Sequence, residues 1–367
     1  MEDRNRVDFS ERPVLKVLGV GGGGNNSINR MIEQEVHGVI YCAINTDSQA
    51  LRGNHAEERI RIGKNLTRGL GAGAHPEIGR QAAEEDIDEI RKAVEGVDLA
   101  FITCGMGGGT GTGAAPIVAQ CAKEAGALVV GIVTKPFKFE GKRRMEEALV
   151  GINNIRPYCD TLIIIPNEKL LDSIGANTTT IEAFNEVDNV VFRAIQGIAG
   201  IIDETGVINV DFSDLKTVLE DKGTALIGIG VQTGPNRAIE AVRQAIESPL
   251  LEIDINGATD AIVQIIAPND FNALELKDVN EEVSRASTPD INIIFGLSYD
   301  PEATDEVRVI IVASGFNQEN SGKIISSETQ GESANNVTNN NNQSKENSSV
   351  ERKPSKVPSW LQNDNRH

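Results

Sequence analysis

The chain has 367 residues, 39% hydrophobic and 24% charged, an ordinary globular mixture long enough for a large core and two domains. A formal net charge of −19 argues against binding a nucleic-acid backbone, which needs clustered lysine and arginine. The charged start MEDRNRVDFSERP and the lack of any apolar run near the ~18 residues that span a bilayer predict a cytoplasmic protein without direct membrane insertion. Cys42, Cys104, Cys121 and Cys159 form no CxxC pair and are read as buried free thiols of a reducing compartment.

In chain order, VLKVLGV (14–20) predicts a buried strand, followed by a glycine-rich turn and a helix from about Asn26 to Gln34. VIYCAINTD (39–47) predicts a second strand. From Pro76, apolar residues at Ile78, Ala82, Ile87, Ile90 and Val94 predict one helix ending at Gly96. DLAFITCGM, LVVGIVT and TLIIIP predict further strands, with helices at 114–125 and through Met145 between them. Continuous apolar strands alternating with amphipathic helices predict a doubly wound α/β domain on a parallel sheet.

One long helical pattern, 178–203, is apolar on more than one side, as a central helix buried between two domains would be. GVINVDF, GTALIGIGVQ, AIVQIIAP, INIIFGLSY and EVRVIIVAS, with helices near 235–247 and 272–287, predict a smaller α+β second domain. Past Phe316 the text is almost wholly Asn, Ser, Gln, Glu and Gly, which predicts disorder. The last stretch, ERKPSKVPSWLQNDNRH, carries the only tryptophan and reads as a docking peptide on a tether.

Two glycine runs, GVGGGGNN (19–26) and GMGGGTGTG (105–113), each follow a strand and precede a helix. That arrangement sets backbone N–H groups and a helix N-terminus at the carboxyl end of a parallel sheet, where a phosphate is favoured. Thr110 and Thr112 could add hydroxyl donors. Gly19, Gly21 and Gly24 also satisfy the GxGxxG fingerprint, with Asp47 placed to meet a ribose, so a nicotinamide or flavin oxidoreductase stands as the alternative. No GxxxxGK[ST] motif occurs, and the second run is more than a dinucleotide fold requires.

GGGTGTG (107–113) is the signature of the tubulin and FtsZ superfamily, and around it stand GVGGGGNN, NTDSQAL, TRGLGAGAHPEIG, PFKFEGKRRM, IPNEKLL, EAFNEVDNV and NVDFSDLKTV. From Val14 to Phe316 this order resembles the bacterial FtsZ family. The resemblance implies a GTPase using GTP/GDP and Mg²⁺, with K⁺ an open candidate, and no dedicated metal cage. It places Gly22, Gly23, Gly24, Asn25 and Asn26 under the α- and β-phosphates. Gly71, Ala72, Gly73 and Ala74 would sense the γ-phosphate. Gly107, Gly108, Gly109, Thr110, Gly111 and Thr112 would form the loop over the phosphates, with Glu140 and Arg144 contacting ribose and phosphate. Asn167 and Asp188 would read guanine, with Phe184 stacking on the base; from sequence alone Phe184 reads as a core aromatic and Asp188 as a solvated helix charge.

Asp211 and Asp214 lie three residues apart at a strand-to-helix junction. Sequence alone favours helix capping here, with Ser213 or Asp214 satisfying the first-turn N–H groups. The resemblance implies instead that this loop, with Asn209, enters the nucleotide site of the next subunit and positions the attacking water. It further implies head-to-tail homopolymers at a mid-cell division ring, and adaptors that dock on Pro358, Trp360 and Leu361, where Trp360 replaces the family's usual Phe. The expected layout is an N-terminal arm 1–13, GTPase domain 14–177, central helix 178–205, α+β domain 206–316, linker 317–350 and docking peptide 351–367.

Overall fold

The structure, a computed structural model, describes residues 12–36, 38–171, 178–202, 208, 210–248, 250, 257–300 and 303–316. Asn209, the linker and the docking peptide with Pro358, Trp360 and Leu361 lie outside the described residues. Six strands, β1 (Leu15–Val20), β2 (Val39–Asn45), β3 (Glu58–Arg61), β4 (Leu99–Gly105), β5 (Leu128–Lys135) and β6 (Thr161–Pro166), form a parallel sheet in the order β3-β2-β1-β4-β5-β6. Every residue of β1, β5 and β6 is buried, as strands covered on both faces require. The winding reverses between β1 and β4, and at such a switch point a doubly wound sheet opens a crevice beyond its carboxyl ends.

Helix α1 (Gly21–Glu33) follows β1 and starts five residues earlier than its apolar pattern predicts. Helix α5 (Gly109–Glu124) follows β4 and likewise begins inside its glycine run. The predicted single helix from Pro76 is two, α3 (Pro76–Glu85) and α4 (Ile87–Val94), preceded in the chain by short α2 (Ser48–Arg52). The break falls at Asp86, whose carboxylate accepts from the Gly63 N–H at 2.7 Å and the Lys64 N–H at 3.3 Å. Helices α6 (Lys142–Ile155) and α7 (Asn167–Leu170) flank β6.

The predicted central helix is α8 (Thr180–Ile202), with 11 of 23 residues buried, among them Val187, Val191, Ile195 and Ile198. Each large apolar side chain so buried stabilises by roughly 1.5–3 kcal/mol. Residue 197 is glycine because α8 runs against β10 there; an added Cβ would lie 2.8 Å from Ile310. Helix α9 (Phe212–Leu219) then leads to β7 (Gly223–Gln232), α10 (Arg237–Ile246), β8 (Asp260–Ala267), α11 (Ala273–Ala286), β9 (Asn292–Tyr299) and β10 (Val307–Ser314). Where GVINVDF reads as a strand, Ile208 makes an isolated bridge to Leu297, and Asp211 takes the N-cap position just before α9.

These later strands continue the sheet as β7-β10-β8-β9, with β7–β10 and β10–β8 antiparallel. They join the parallel part through β6–β7, which pair over three residues, Thr161–Ile163 with Gly223–Ala225. One apolar cluster fills the space around α8, a second lies under α3–α6, and a third under α10 and α11. Among the described residues no helix is long and apolar enough to cross a membrane.

Candidate active site

The crevice beyond β1 and β4 holds a cavity of about 270 Å³. Gly22, Gly23 and Asn26 of α1, Gly108–Gly111 at the start of α5, and Glu140, Arg144, Asn167, Phe184 and Asp188 line it. Neither α1 nor α5 is capped by a side chain, whereas α2 and α11 are capped by Asp47 and Asn272. The first-turn N–H groups of two adjacent helices are thus left for an anion, and both helix dipoles favour negative charge there.

The glycines divide by what a side chain would meet. A Cβ on Gly22 would meet nothing within 4 Å, and one on Gly108 only the Gly105 carbonyl at 4.0 Å. Packing therefore does not explain these two, and close approach of a ligand does. At Gly111 a Cβ would lie 2.8 Å from the Gly105 carbonyl, and at Gly109 2.9 Å from Ala72 Cβ, so those two also serve packing.

Several predicted ligand contacts belong to the frame instead. Gly24 does not line the cavity; a Cβ there would collide with the Thr103 carbonyl. Asn25 is buried with its side chain turned inward, donating to the Gly19 carbonyl at 2.8 Å and accepting from Asn45 at 2.7 Å. Thr112 is buried and accepts from the Gly107 N–H at 2.8 Å, which holds the signature loop in shape. Thr110 is on the cavity wall, and its hydroxyl is 2.6 Å from that of Thr46. Asp47, the ribose contact of the oxidoreductase alternative, accepts from the Gln49 N–H at 2.7 Å and so caps α2.

Gly73 and Ala74 line an adjoining cavity with His75, Gly107–Gly109, Glu140, Arg143, Arg144 and Glu147, while Gly71 and Ala72 do not. Ala72 is buried, and the Gly71 N–H donates to the Thr46 carbonyl. Gly71, Gly73 and Ala74 all have positive φ, +87°, +57° and +59°, a strained course for the alanine. Arg143 and His75 were not singled out from the sequence, although both fall within the segments PFKFEGKRRM and TRGLGAGAHPEIG.

At the other end, Phe184 packs edge-on against Phe137 with ring centroids 5.3 Å apart, and Phe137 stacks on Phe139. Phe184 is 41% exposed, so it is no core aromatic. The Asp188 carboxylate accepts from Ser27 Oγ at 2.7 Å. Burial pushes its pKa up to about 6, against the lowering effects of the Ser27 bond and the Arg30 charge. Asn167 Oδ1 is buried without a hydrogen-bond partner among the described residues, which marks it as an acceptor awaiting a donor. Glu140 accepts from the Phe137 N–H at 2.9 Å and pairs with Arg144 at 3.2 Å.

The chain matches the tubulin/FtsZ family GTPase-domain model over residues 14–175 and the FtsZ-family C-terminal-domain model over 223–317. FtsZ of M. jannaschii, solved as an empty dimer, is 44% identical, with 83% of this chain and 89% of that one covered at a TM-score of 0.80. The chain belongs to the FtsZ family. A mutant of the same M. jannaschii FtsZ matches at 45% identity, covering 83% and 92% of the two chains, with a TM-score of 0.80. CetZ1 from Haloferax volcanii, solved as a GDP-bound monomer, shares the fold at 23% identity, covering 86% and 98%, with a TM-score of 0.72. As an FtsZ-family GTPase the protein binds and hydrolyses GTP.

Asp211 and Asp214 do not share this cavity. Both are exposed, and Asp211 occupies the N-cap position of α9 without a side-chain cap bond. Helix α9 is tied to the opposite, amino end of the parallel strands: the Leu219 carbonyl accepts from Thr161 Oγ1 at the first residue of β6, whereas Asn167 lies just past its last. Val210 donates to the Ile201 carbonyl at the far end of α8 from Asp188. Ile201 lies thirteen residue steps along the helix from Asp188, about 20 Å at 1.5 Å each.

Proposed function

We propose that this FtsZ-family GTPase is a self-assembling subunit whose hydrolytic site is completed by the next copy in a head-to-tail filament. The observation that carries this reading is the separation of the cavity from Asp211 and Asp214 at opposite ends of α8. Carboxylates tethered to the end of α8, about 20 Å along that helix from Asp188, are out of reach of a phosphate bound in their own chain, yet an exposed pair is free to act on a neighbour's. FtsZ of M. jannaschii has been solved as a dimer and CetZ2 of Haloferax volcanii as a protofilament.

In this reading Gly22, Gly23, Asn26 and Gly108–Gly111 hold the phosphates, and Gly73 and Ala74 meet the γ-phosphate. Asn167, Phe184 and Asp188 hold the base, and Glu140 and Arg144 contact ribose and phosphate. The neighbour's Asp211, Asp214 and Asn209 orient the attacking water, since phosphoryl transfer is catalysed chiefly by positioning and charge neutralisation. Among the described residues no three His, Cys, Asp or Glu converge on a metal position. Mg²⁺ would be held mainly through the nucleotide's phosphates and would supply neutralisation of their charge. K⁺ is a candidate at the junction. Residues 14–177, 178–205 and 206–316 serve as nucleotide domain, strut and donor of the acid loop. The filament would build a cell-division ring, with adaptors recruited by Pro358, Trp360 and Leu361.

Phosphate release from GTP, measured against protein concentration with light scattering in parallel, tests this. Both signals should vanish below one threshold, and Asp214→Ala should retain GDP binding while losing at least tenfold in turnover. Activity per chain that stays flat on dilution would place the whole site within one monomer and end the proposal.

A further inference from the structure

Among the polar side chains lining the cavity that have no place in the roles assigned above is Ser27. It lies in the second turn of α1, is 3% exposed, and lines the cavity between the phosphate and base ends. Its Oγ is 2.7 Å from Asp188 Oδ1 on α8 and 3.2 Å from the Gly23 carbonyl, one turn earlier in α1. A hydroxyl has a single proton and two acceptor lone pairs. It therefore serves one of these two acceptors at a time. The ionised carboxylate is the nearer and the stronger, because a charge-assisted bond outweighs a neutral one.

We infer that Ser27 is a positioning residue for guanine, holding Asp188 ionised and aimed at the base and linking the base reader to the phosphate loop. This rests on the reading of Asp188 as the guanine acceptor. With Asp188 ionised, Ser27 donates to it, and Oδ2 with the second lone pair of Oδ1 is left for the ring N–H and 2-amino groups. When Asp188 takes a proton it becomes a donor, the Ser27 hydroxyl turns to the Gly23 carbonyl, and the acceptor pair that guanine needs is lost. The charged groups around Asp188 are Arg30 on α1, which favours the ionised form, and Glu140 and Arg144 on the facing wall, already paired with each other. The neighbouring Arg30–Asn189 bond of 2.8 Å fixes the same α1–α8 seam, so removing the Ser27 hydroxyl leaves the helices in register.

The experiment is calorimetric titration of the full chain, below the concentration at which light scattering rises. GDP, IDP (which lacks the 2-amino group) and ADP are compared from pH 5.5 to 8 for the parent, Ser27→Ala and Asp188→Asn. The parent should bind GDP better than IDP or ADP, losing affinity as pH falls through the value at which free Asp188 protonates. Ser27→Ala should bind GDP about tenfold more weakly at pH 6.5, with the GDP/IDP ratio drawn toward one and the pH midpoint moved upward. Asp188→Asn should abolish the midpoint. A parent that does not discriminate among the three nucleotides defeats the guanine reading itself. A discriminating parent whose Ser27→Ala variant keeps both ratio and midpoint, or weakens equally at every pH, overturns the role given to Ser27, as does a midpoint that survives in Asp188→Asn.

Discussion

Gly22→Ala separates a glycine kept for a ligand from one kept for packing. Gly22 is exposed, lies in the first turn of α1, and has open space where a Cβ would go. Alanine at such a position restricts the unfolded chain and stabilises by about 0.4–1 kcal/mol. For a chain of this size that is a rise of roughly 1–3 °C in Tm without nucleotide. The same methyl group occupies the space through which a phosphate oxygen reaches the main chain. Loss of one charge-assisted N–H contact costs about 1.5–3 kcal/mol, or roughly 10- to 150-fold in affinity for GDP. The variant is thus expected to be more stable empty and a poorer binder, a combination that general damage to the fold does not produce. Gly24→Ala is the contrast: its Cβ would strike the Thr103 carbonyl, a backbone atom of β4, so stability falls by at least about 1–3 kcal/mol. Differential scanning calorimetry of the empty protein and titration with GDP read both quantities. If Gly22→Ala binds GDP within twofold of the parent, the phosphate does not sit where the two helix starts converge.

Asp188→Asn should stabilise the empty protein at pH 7.5. An acid whose pKa is raised from 3.8 to about 6 keeps its proton longer when folded, so ionised Asp188 costs the native state on the order of 2–3 kcal/mol. The parent should gain stability as pH falls from about 6 toward 4, relative to the Asn variant, and thermal unfolding at pH 5, 6 and 7.5 would expose the opposite trend. Arg237 is buried and meets Asp270, Glu275 and Asp305, each at 2.9 Å, joining the start of α10 to the first turn of α11 and to the segments before α11 and β10. Arg237→Ala should cost about 2–4 kcal/mol in urea unfolding while leaving GDP affinity intact, and a loss under 0.5 kcal/mol would count against it.

Much of this architecture was legible because burial on both faces writes itself as uninterrupted Val, Ile and Leu, as in LVVGIVT and TLIIIP. Edge strand β3, ERIR, was not, since it pairs only with β2 and alternates charge with isoleucine. The starts of α1 and α5 were hidden because glycine has low helix propensity; tertiary packing and not local preference makes those turns helical. The division of α3 from α4 depends on Asp86 meeting N–H groups some twenty residues away, which no local pattern carries. At the site, the glycine runs pointed to phosphate, but only coordinates tell Gly22 from Gly24. Phe184 and Asp188 were legible through resemblance alone. Ser27 sat one residue past the motif, and its partner lies 161 residues further along the chain.

Under the proposed function, the placement of the two half-sites at opposite ends of α8 also governs symmetry. A two-fold dimer buries one patch against itself and would set cavity against cavity or acid pair against acid pair, completing neither. Only a heterologous joint, one end against the other, makes a working junction, and such a joint repeats unless rotation closes it into a ring. An open row of n copies then has n − 1 complete junctions, one terminal cavity without acids and one terminal acid pair without a cavity. Turnover per chain should therefore approach its ceiling as 1 − 1/n. In such an assembly the same geometry would give every filament a direction, with two chemically different ends at which subunits are gained and lost.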